Sequence, residues 1–277
     1  AQWLSLREPV DHAARSDRIR EVMLADLRKR HGDSLANLRV LDLGCGSGSN
    51  LRALAPWLGD NQHWTLVDYD QDLLAAAQVV LRDWAHEVVQ TNAQTLVLRH
   101  DDAQITVTCR QADLVSELPE LLAQPVDLVS AAALFDLVSA SWVDRFIAHL
   151  AAPLYAVLSF DGHMRWWPEH PMDATVTDAF YRHQQQDKGF GQALGPESSR
   201  YLAQALLEHG FNVQTDKSPW RVESLPSAFH DMLIQGIANA GVEIGALSRE
   251  EITQWLGSRA VAQECIIGHD DLYATKN

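Results

Sequence analysis

The fold is decided by a nine-residue stretch, Val40-Leu41-Asp42-Leu43-Gly44-Cys45-Gly46-Ser47-Gly48. Its apolar beginning predicts the end of a buried strand, and the apolar spacing from Leu51 to Leu58 predicts a helix directly after it. Glycine lacks a Cβ, so the three alternating glycines permit a tight turn and a close approach of the backbone to a ligand. Because the first N–H groups of a helix are unpaired and lie at the positive end of its dipole, the stretch predicts a site for the carboxylate or ribose end of a ligand.

Strands and helices alternate around this stretch through the first 160 residues. Short apolar runs predict strands at 64–67, 95–99, 105–109, 126–131 and 154–160, of which the runs at 95–99 and 105–109 form a plausible hairpin. Apolar residues at helical spacing predict helices at 11–31, 72–89 and 142–150. This alternation favours a parallel sheet with helices on both faces.

The pattern changes after residue 160. Residues 161–195 combine glycines, prolines and paired tryptophans with a polar helical stretch, which predicts an insertion that caps the sheet. Alternation then returns, with a helix at 197–209, a strand at 211–215, two helical segments and a last strand at 264–273. We therefore expect a single domain, 1–277, divided into an N-terminal arm and helix (1–32), a ligand-binding core (38–160), the cap (161–195) and C-terminal helices and strands (196–277).

Composition excludes several classes of partner. Lys and Arg total 22 and Asp and Glu total 37, a formal net charge of −15, which repels phosphate backbones and anionic membranes. No apolar run approaches the roughly 20 residues needed to cross a bilayer, so we expect a cytoplasmic protein with no nucleic-acid or membrane partner. Three dispersed cysteines form neither a disulfide framework nor a zinc pattern, and His163 and His170 lack a third ligand, so no metal site is expected.

The glycine stretch carries a family resemblance. The spelling acidic-x-Gly-x-Gly-x-Gly, from Asp42 to Gly48, resembles the cofactor loop of class I S-adenosylmethionine-dependent methyltransferases. The dinucleotide-binding motif Gly-x-Gly-x-x-Gly of NAD sites has its third glycine one residue later, at the position that Ser49 occupies here. The resemblance covers roughly residues 38–160 by motif. It implies an α/β fold with a doubly wound, mostly parallel seven-stranded sheet, helices on both faces, an insertion after the fifth strand, and S-adenosyl-L-methionine as cofactor.

The resemblance also implies roles for residues at the ends of successive strands. Asp68 would accept the ribose hydroxyls, Tyr69 would pack on adenine, and Asp113 with the Leu114 backbone would meet the adenine amine. The small residues around Ala131 would run under the sulfonium. Each has an alternative: a surface acid for Asp68, a helix N-cap for Asp113 and core filling for Ala131. The cofactor-binding set is Asp42, Gly44, Cys45, Gly46, Gly48, Asp68, Tyr69, Asp113, Leu114 and Ala131.

Candidate acceptor and catalytic residues lie in the arm and the cap. Arg7 is a candidate to grip a carboxylate of the cofactor or the substrate. Trp166 is a candidate for an aromatic pocket or an anchor of the cap to the core, and Lys188 is a further substrate candidate. His183 and Asp187 are four residues apart, so on a helix they would share a face, and an Asp-oriented imidazole is a suitable general base. The alternative is a surface histidine beside a surface acid.

Together these features predict an enzyme that transfers a methyl group from S-adenosylmethionine to a small-molecule acceptor. Three alternatives remain open at this point: a non-catalytic module that binds the same cofactor, another reaction at its sulfonium such as aminopropyl transfer, and an NAD-dependent oxidoreductase. The sequence identifies neither the acceptor and its nucleophilic atom nor the oligomeric state.

Overall fold

A computed structural model describes residues 2–92, 94–223 and 227–276. The helices are α1 (Gln2–Ala14), α2 (Asp17–His31), α3 (Ser49–Leu54), α4 (Gln71–Trp84), α5 (Leu118–Leu122), α6 (Ala140–His149), α7 (Asp173–Gln184), α8 (Ser198–Glu208), α9 (Ala228–Glu243) and α10 (Arg249–Arg259). The strands are β1 (Leu38–Leu43), β2 (Asn61–Asp68), β3 (Glu87–Thr91), β4 (Thr95–His100), β5 (Ala103–Gln111), β6 (Leu128–Ala132), β7 (Leu154–Trp167), β8 (Asn212–Lys217), β9 (Trp220–Glu223) and β10 (Glu264–Thr275). Short 3-10 turns lie at Ala55–Trp57, Phe135–Leu137 and Gly195–Glu197.

The described strands form one mixed sheet in the order β3-β4-β5-β2-β1-β6-β7-β10-β8, with β9 paired to β10. Strands β5, β2, β1, β6 and β7 run parallel. The β3-β4-β5 meander and all pairings of β10 are antiparallel, and the β4–β5 pair is the expected hairpin. The α/β class is confirmed, but the seven-stranded, mostly parallel sheet holds only in part. Ten strands are described, because the β3-β4 hairpin and β9 extend the sheet.

Strand β1 lies in the middle of the sheet, and every residue in it except Arg39 is buried. Such continuous burial is typical of a parallel strand covered by helices on both faces. Helix α4 buries Leu74, Ala77 and Leu81. It is capped by Asp70, whose side chain accepts from the N–H groups of residues 72 and 73. The predicted helix 72–89 is too long: α4 ends at Trp84, and the segment with β-branched Val88 and Val89 forms β3.

The N-terminal segment differs from the single helix expected at 11–31. Two helices meet at Ser16, whose hydroxyl accepts from the Ile19 N–H and caps α2. The Ser16 N–H donates to the buried Asp271 carboxylate at 2.8 Å, which fixes this corner to the end of the sheet. Helix α1 consequently runs separately from α2 and contacts β9 and α9. No helix among the described residues combines the length and apolar character needed to cross a bilayer.

Strand β7 crosses the predicted cap boundary at residue 161. It continues to Trp167, and its residues 164–167 pair with β10 beyond a register shift, so the strand carries the sheet past residue 161. Helices α7, α9 and α10 and strand β9 bury a separate apolar cluster there, which includes Trp166, Trp220 and Trp255. We use the name cap for this unit of 161–184 and 220–267. Its core is continuous with the sheet through β7 and β10.

Candidate active site

The glycine loop (Gly44–Gly48) follows β1 at the carboxyl end of the parallel strands. Gly44, Gly46 and Gly48 have φ angles of 64°, 54° and 76°, the left-handed region that favours glycine. A Cβ on Gly44 would lie 3.2 Å from Leu134 Cδ1, and one on Gly46 would lie 3.3 Å from Leu4 Cδ1. The predicted tight turn is therefore confirmed, and it leaves bare backbone facing α1.

Asp42 lies beneath the glycine loop, where it binds side chains of α3 and β6. It is fully buried, and its Oδ1 atom accepts from Asn50 Nδ2 at 2.6 Å and from Ser130 Oγ at 2.7 Å. Its Oδ2 atom has no partner among the described residues, and burial raises the pKa of the carboxyl to about 6. Asn50 in turn accepts from Arg15 Nη1 at 2.7 Å. Asp42 thus positions Asn50 and Arg15 and does not itself line a cavity.

A small cavity of about 50 Å³ lies between the glycine loop and α1. Its lining residues are Leu4, Arg7, Asp11, Arg15, Gly44, Cys45, Gly46, Ser47, Ser49, Asn50 and Ala132. Two guanidinium groups and the loop backbone make a suitable environment for a carboxylate. The Arg15 Nε atom is buried without a partner among the described residues, so the cavity can still offer a donor.

Asp68 lies at the end of β2 beside the glycine loop, as the motif predicts. Its Oδ2 atom accepts from the Gly46 N–H at 2.8 Å, and its Oδ1 atom accepts from the Asp70 N–H at 3.0 Å. A carboxylate offers about four lone-pair sites, so two remain for further donors. Tyr69 follows with its side chain 73% exposed, and its carbonyl accepts from Gln111 Nε2 at 3.0 Å.

Asp113 and Leu114 have local partners. The Asp113 carboxylate accepts from the Val115 N–H at 2.8 Å and from Ser116 Oγ at 3.0 Å, which is an Asx turn and not the helix N-cap of the alternative, because α5 begins only at Leu118. The Leu114 carbonyl accepts from Trp142 Nε1 at 2.8 Å. Both residues stay near the ends of β2 and β5, since Asp68 pairs in register with Gln111.

A second cavity, which we call the apolar cavity, has a volume of about 470 Å³ and lies between the sheet, α1, α7 and α9. Most of its lining is aromatic or aliphatic; its polar lining residues are Arg7, Asp136, His183, Gln184 and His269. Arg7 lines both cavities, as expected for a residue beside the ligands, and it is also paired with Asp11 at 2.8 Å.

Ala131 is buried within the sheet and lines neither cavity, so its core-filling alternative is the better description. Ala132 and Ala133, and not Ala131, lie beside the two cavities. Ala132 borders the cavity at the glycine loop, and Ala133 borders the apolar cavity. The alternation of side chains along β6 explains the shift by one residue.

The predicted pairing of His183 with Asp187 is wrong. Helix α7 ends at Gln184, so Asp187 lies beyond it and instead accepts from the Gly189 and Gly191 N–H groups. His183 pairs with Glu243 of α9, with 2.9 Å between Nε2 and Oε2. Its Nδ1 atom is buried without a partner among the described residues, and the ring lines the apolar cavity.

The two remaining substrate candidates lie away from the apolar cavity. Trp166 is buried against the edge of Trp255, with ring centroids 5.6 Å apart, and anchors the cap as its alternative stated. Among the described pockets, Trp166 borders one of about 600 Å³ between β7 and α7, which is separate from the apolar cavity. Lys188 lines neither the small cavity at the glycine loop nor the apolar cavity.

Sequence reasoning missed four residues of the site. Glu243, Gly236 and His269 come from distant segments, α9 and β10, that no motif connects to the glycine loop. Asp136 carried a usable signal, since it is an acid directly after the apolar residues that end β6. A group of possible metal ligands, His86, His100 and Asp101, lies at the opposite edge of the sheet, where His100 stacks on Trp84.

Comparison with known protein families shows what the region around the glycine loop is similar to. Residues 40–107 match the model of a family described as a methyltransferase domain. The match includes the glycine loop and the first residues of α3, which form one wall of the small cavity, and it favours methyl transfer over the NAD alternative. No curated protein sequence matches the chain significantly.

Several solved structures are similar to the chain at low sequence identity. An S-adenosylmethionine-dependent methyltransferase from Geobacter sulfurreducens, in complex with S-adenosyl-L-homocysteine, is 14% identical with a TM-score of 0.47, and the alignment covers 100% of this chain and 98% of that one. A cyclopropane synthase from Mycobacterium tuberculosis is 13% identical with a TM-score of 0.47, covering 96% and 88%. A magnesium protoporphyrin IX methyltransferase from Synechocystis is 12% identical with a TM-score of 0.44, covering 94% and 83%.

Proposed function

The chain carries a methyltransferase domain of the class I, S-adenosylmethionine-dependent type, and from this premise we propose that it methylates a small molecule held in the apolar cavity. One observation carries the proposal: the glycine-loop cavity and the apolar cavity adjoin. Arg7 borders both, and the consecutive residues Ala132 and Ala133 border one each. A methyl group presented at the glycine loop would therefore lie beside a molecule in the apolar cavity.

The cofactor supplies an electrophilic methyl group when it is bound. We propose that Arg15 and the glycine-loop backbone hold its carboxylate, that Asp68 accepts the ribose hydroxyls and that Tyr69 covers the adenine. The unpartnered Nε of Arg15 and the free lone pairs of Asp68 support this assignment. Asp113 and the Leu114 backbone would border the adenine from the end of β5.

A nucleophile that arrives protonated must lose its proton, and His183 remains our proposal for the group that receives it. Its ring lines the apolar cavity, Glu243 holds Nε2 at 2.9 Å, and buried Nδ1 has no partner among the described residues. The carboxylate that orients the imidazole is then Glu243 and not Asp187. The His183→Gln variant should lose at least tenfold in turnover while its affinity for S-adenosylhomocysteine stays unchanged.

Isothermal titration with S-adenosylmethionine and S-adenosylhomocysteine tests the cofactor assignment. We expect micromolar binding of both ligands to the wild type, and at least tenfold weaker binding to Asp68→Ala, because hydrogen bonds to a charged group are lost. Asp83→Ala, which removes an exposed acid from α4, is the matched control and should bind like the wild type. Absence of binding to the wild type would overturn the proposed function.

A further inference from the structure

Asp136 lines the apolar cavity and has no role in the mechanism above. It belongs to the 3-10 turn that follows β6, and it is only 8% exposed. Its Oδ1 atom has no hydrogen-bond partner among the described residues. A buried carboxyl oxygen without a partner is costly, so the group is better explained by a ligand that donates to it than by a contribution to the core.

The backbone around Asp136 is held in an unusual conformation. Ala133 and Leu158 have φ angles of 52° and 58°, the left-handed region that side chains disfavour, and both line the apolar cavity. The Leu158 N–H donates to Asp271 Oδ1 at 2.8 Å, and the Ala133 N–H donates to the Val157 carbonyl at 2.9 Å. These two hydrogen bonds hold the backbone of Leu158 and of Ala133 in place, and Ala133 lies three residues before Asp136.

The rest of the lining indicates what kind of molecule the cavity accepts. Aromatic and large apolar side chains predominate, among them Trp3, Phe160, Met164, Phe180, Trp220 and Ile237. The volume of about 470 Å³ falls within the roughly 300–1,000 Å³ that is usual for sites of organic ligands. Such a lining stabilises rings or alkyl chains and disfavours a highly charged molecule.

We propose that the apolar cavity binds a largely aromatic or aliphatic acceptor that donates a hydroxyl or amine hydrogen to the Oδ1 atom of Asp136. The inference rests on the proposed function and adds to it a substrate class and a specificity residue. Asp136 lines the apolar cavity three residues after Ala133, and Ala132 and Ala133 border the two cavities. The donor group of the acceptor is therefore held near the glycine loop.

The charge of Asp136 gives this recognition a pH dependence. Burial raises the pKa of the carboxyl to about 6, and the Arg7 guanidinium opposes that rise. The other titratable groups that line the cavity are His183 of α7 and His269 of β10, and burial lowers the pKa of His269 to about 4. Above pH 6 Asp136 is an acceptor only; below it, the protonated carboxyl also donates, and its preference for donor ligands falls.

Gly236 on α9 lies at the exposed side of the apolar cavity, so a larger side chain there tests whether a ligand enters the cavity. It is exposed and lines the cavity, and a Cβ built on it meets no atom within 4 Å. Gly257 on α10 is also exposed and free of such contacts, but it lies outside the lining. Leucine at either position should be tolerated by its helix, so only Gly236→Leu should obstruct the cavity.

The test compares β-naphthol with its methyl ether, which has the same rings and no hydrogen to donate. Affinities are measured by fluorescence titration with saturating S-adenosylhomocysteine, so that the probes cannot occupy the cofactor site. At pH 7.5 we expect the wild type to bind β-naphthol about tenfold more tightly than the ether, and this ratio to shrink at pH 5. Asp136→Leu should abolish the ratio and keep the affinity for the ether.

Further variants separate the possible outcomes. Gly236→Leu should weaken both probes at least fivefold and Gly257→Leu neither; if Asp136→Leu fails to fold, Asp136→Asn should lower the ratio. Equal affinity of the two probes for the wild type at pH 7.5 would overturn the inference. Binding of S-adenosylhomocysteine without either probe would also overturn it and leave the proposed function standing. Failure to bind S-adenosylhomocysteine would overturn both.

Discussion

Asp42 shows how one side chain can serve ligand binding at a cost to stability. Its carboxyl is buried beneath the glycine loop, with two donors on Oδ1 and no partner for Oδ2 among the described residues. Burial disfavours the charged form more than the two hydrogen bonds favour it, so the pKa rises from 3.8 to about 6. The folded protein therefore holds this proton more tightly than the unfolded chain.

The sign of the resulting effect on stability follows from linkage. A raised pKa contributes stability that is fully present below about pH 4 and is lost as the pH rises through about 6. Asp42→Asn removes this titration. We expect its free energy of unfolding, relative to the wild type, to improve by about 2–3 kcal/mol between pH 4 and pH 7.5. Urea unfolding of both proteins at the two pH values measures this; a difference that does not change with pH contradicts the prediction.

Residues near the glycine stretch were predictable because local sequence fixes their geometry. The positive φ angles at Gly44, Gly46 and Gly48 and the place of Asp68 follow from a strand, a tight turn and the next strand. The partner of His183 was not predictable, since Glu243 is 60 residues away and reaches it only through the packing of α7 on α9. Spacing along one helix suggested Asp187, and the end of the helix at Gln184 removed it.

At the scale of elements, α1 covers the glycine loop. Glu8 forms an ion pair with Arg52 of α3, His12 is 3.0 Å from Ser49 Oγ, and Leu4 contacts Gly46. The cavity below has about 50 Å³, far less than the roughly 300 Å³ at the low end for organic ligands. We therefore expect helix α1 to shift when the proposed cofactor binds. Pro9 inside α1 removes one helical hydrogen bond and makes such a shift easier.

Glu8→Gln should increase the opening of α1. The Arg52 side chain is 4% exposed, so loss of its charged partner weakens the contact more than at the surface. We expect hydrogen exchange of the α1 amides to become roughly fivefold faster, while the amides of α10 keep their rates. Exchange followed by mass spectrometry gives both values from one sample. Unchanged exchange in α1 would show that this ion pair does not hold the helix closed.

The sequence also predicted the central elements better than the peripheral ones. Strands β1, β2, β6 and β7 begin within about three residues of the expected positions because their apolar runs are continuous. The β3 strand was absorbed into a predicted helix, since its pairing with β4 depends on the hairpin and not on its own exposed residues. The extension of β7 to Trp167 was missed for a similar reason: its outer half is stabilised by β10, which lies about a hundred residues later.

For the whole molecule, the continuity of β7 and β10 predicts that the cap and the main sheet unfold together. Trp255 is fully buried in the cap, its Nε1 atom donates to Asp173 Oδ1 at 2.9 Å, and it packs on Trp166 of β7. Trp255→Ala should cost about 3–5 kcal/mol, the usual range for a buried tryptophan, in a single transition. Thermal unfolding followed by near-UV circular dichroism and by calorimetry checks this; two separate transitions would show an independent cap.

The unbroken strands have a consequence for how acceptor preference can change in chains with this architecture. A loop insertion can be exchanged at its two ends, but here Leu158, Phe160 and Met164 of the main sheet themselves form part of the wall of the apolar cavity. A chimera cut at residue 161 would sever a strand in mid-ladder and orphan its partner, β10. Cuts after Trp167 and before Glu264 preserve the β7–β10 pairing, so the lining of the apolar cavity can be altered by point changes or by grafting helices between those two positions.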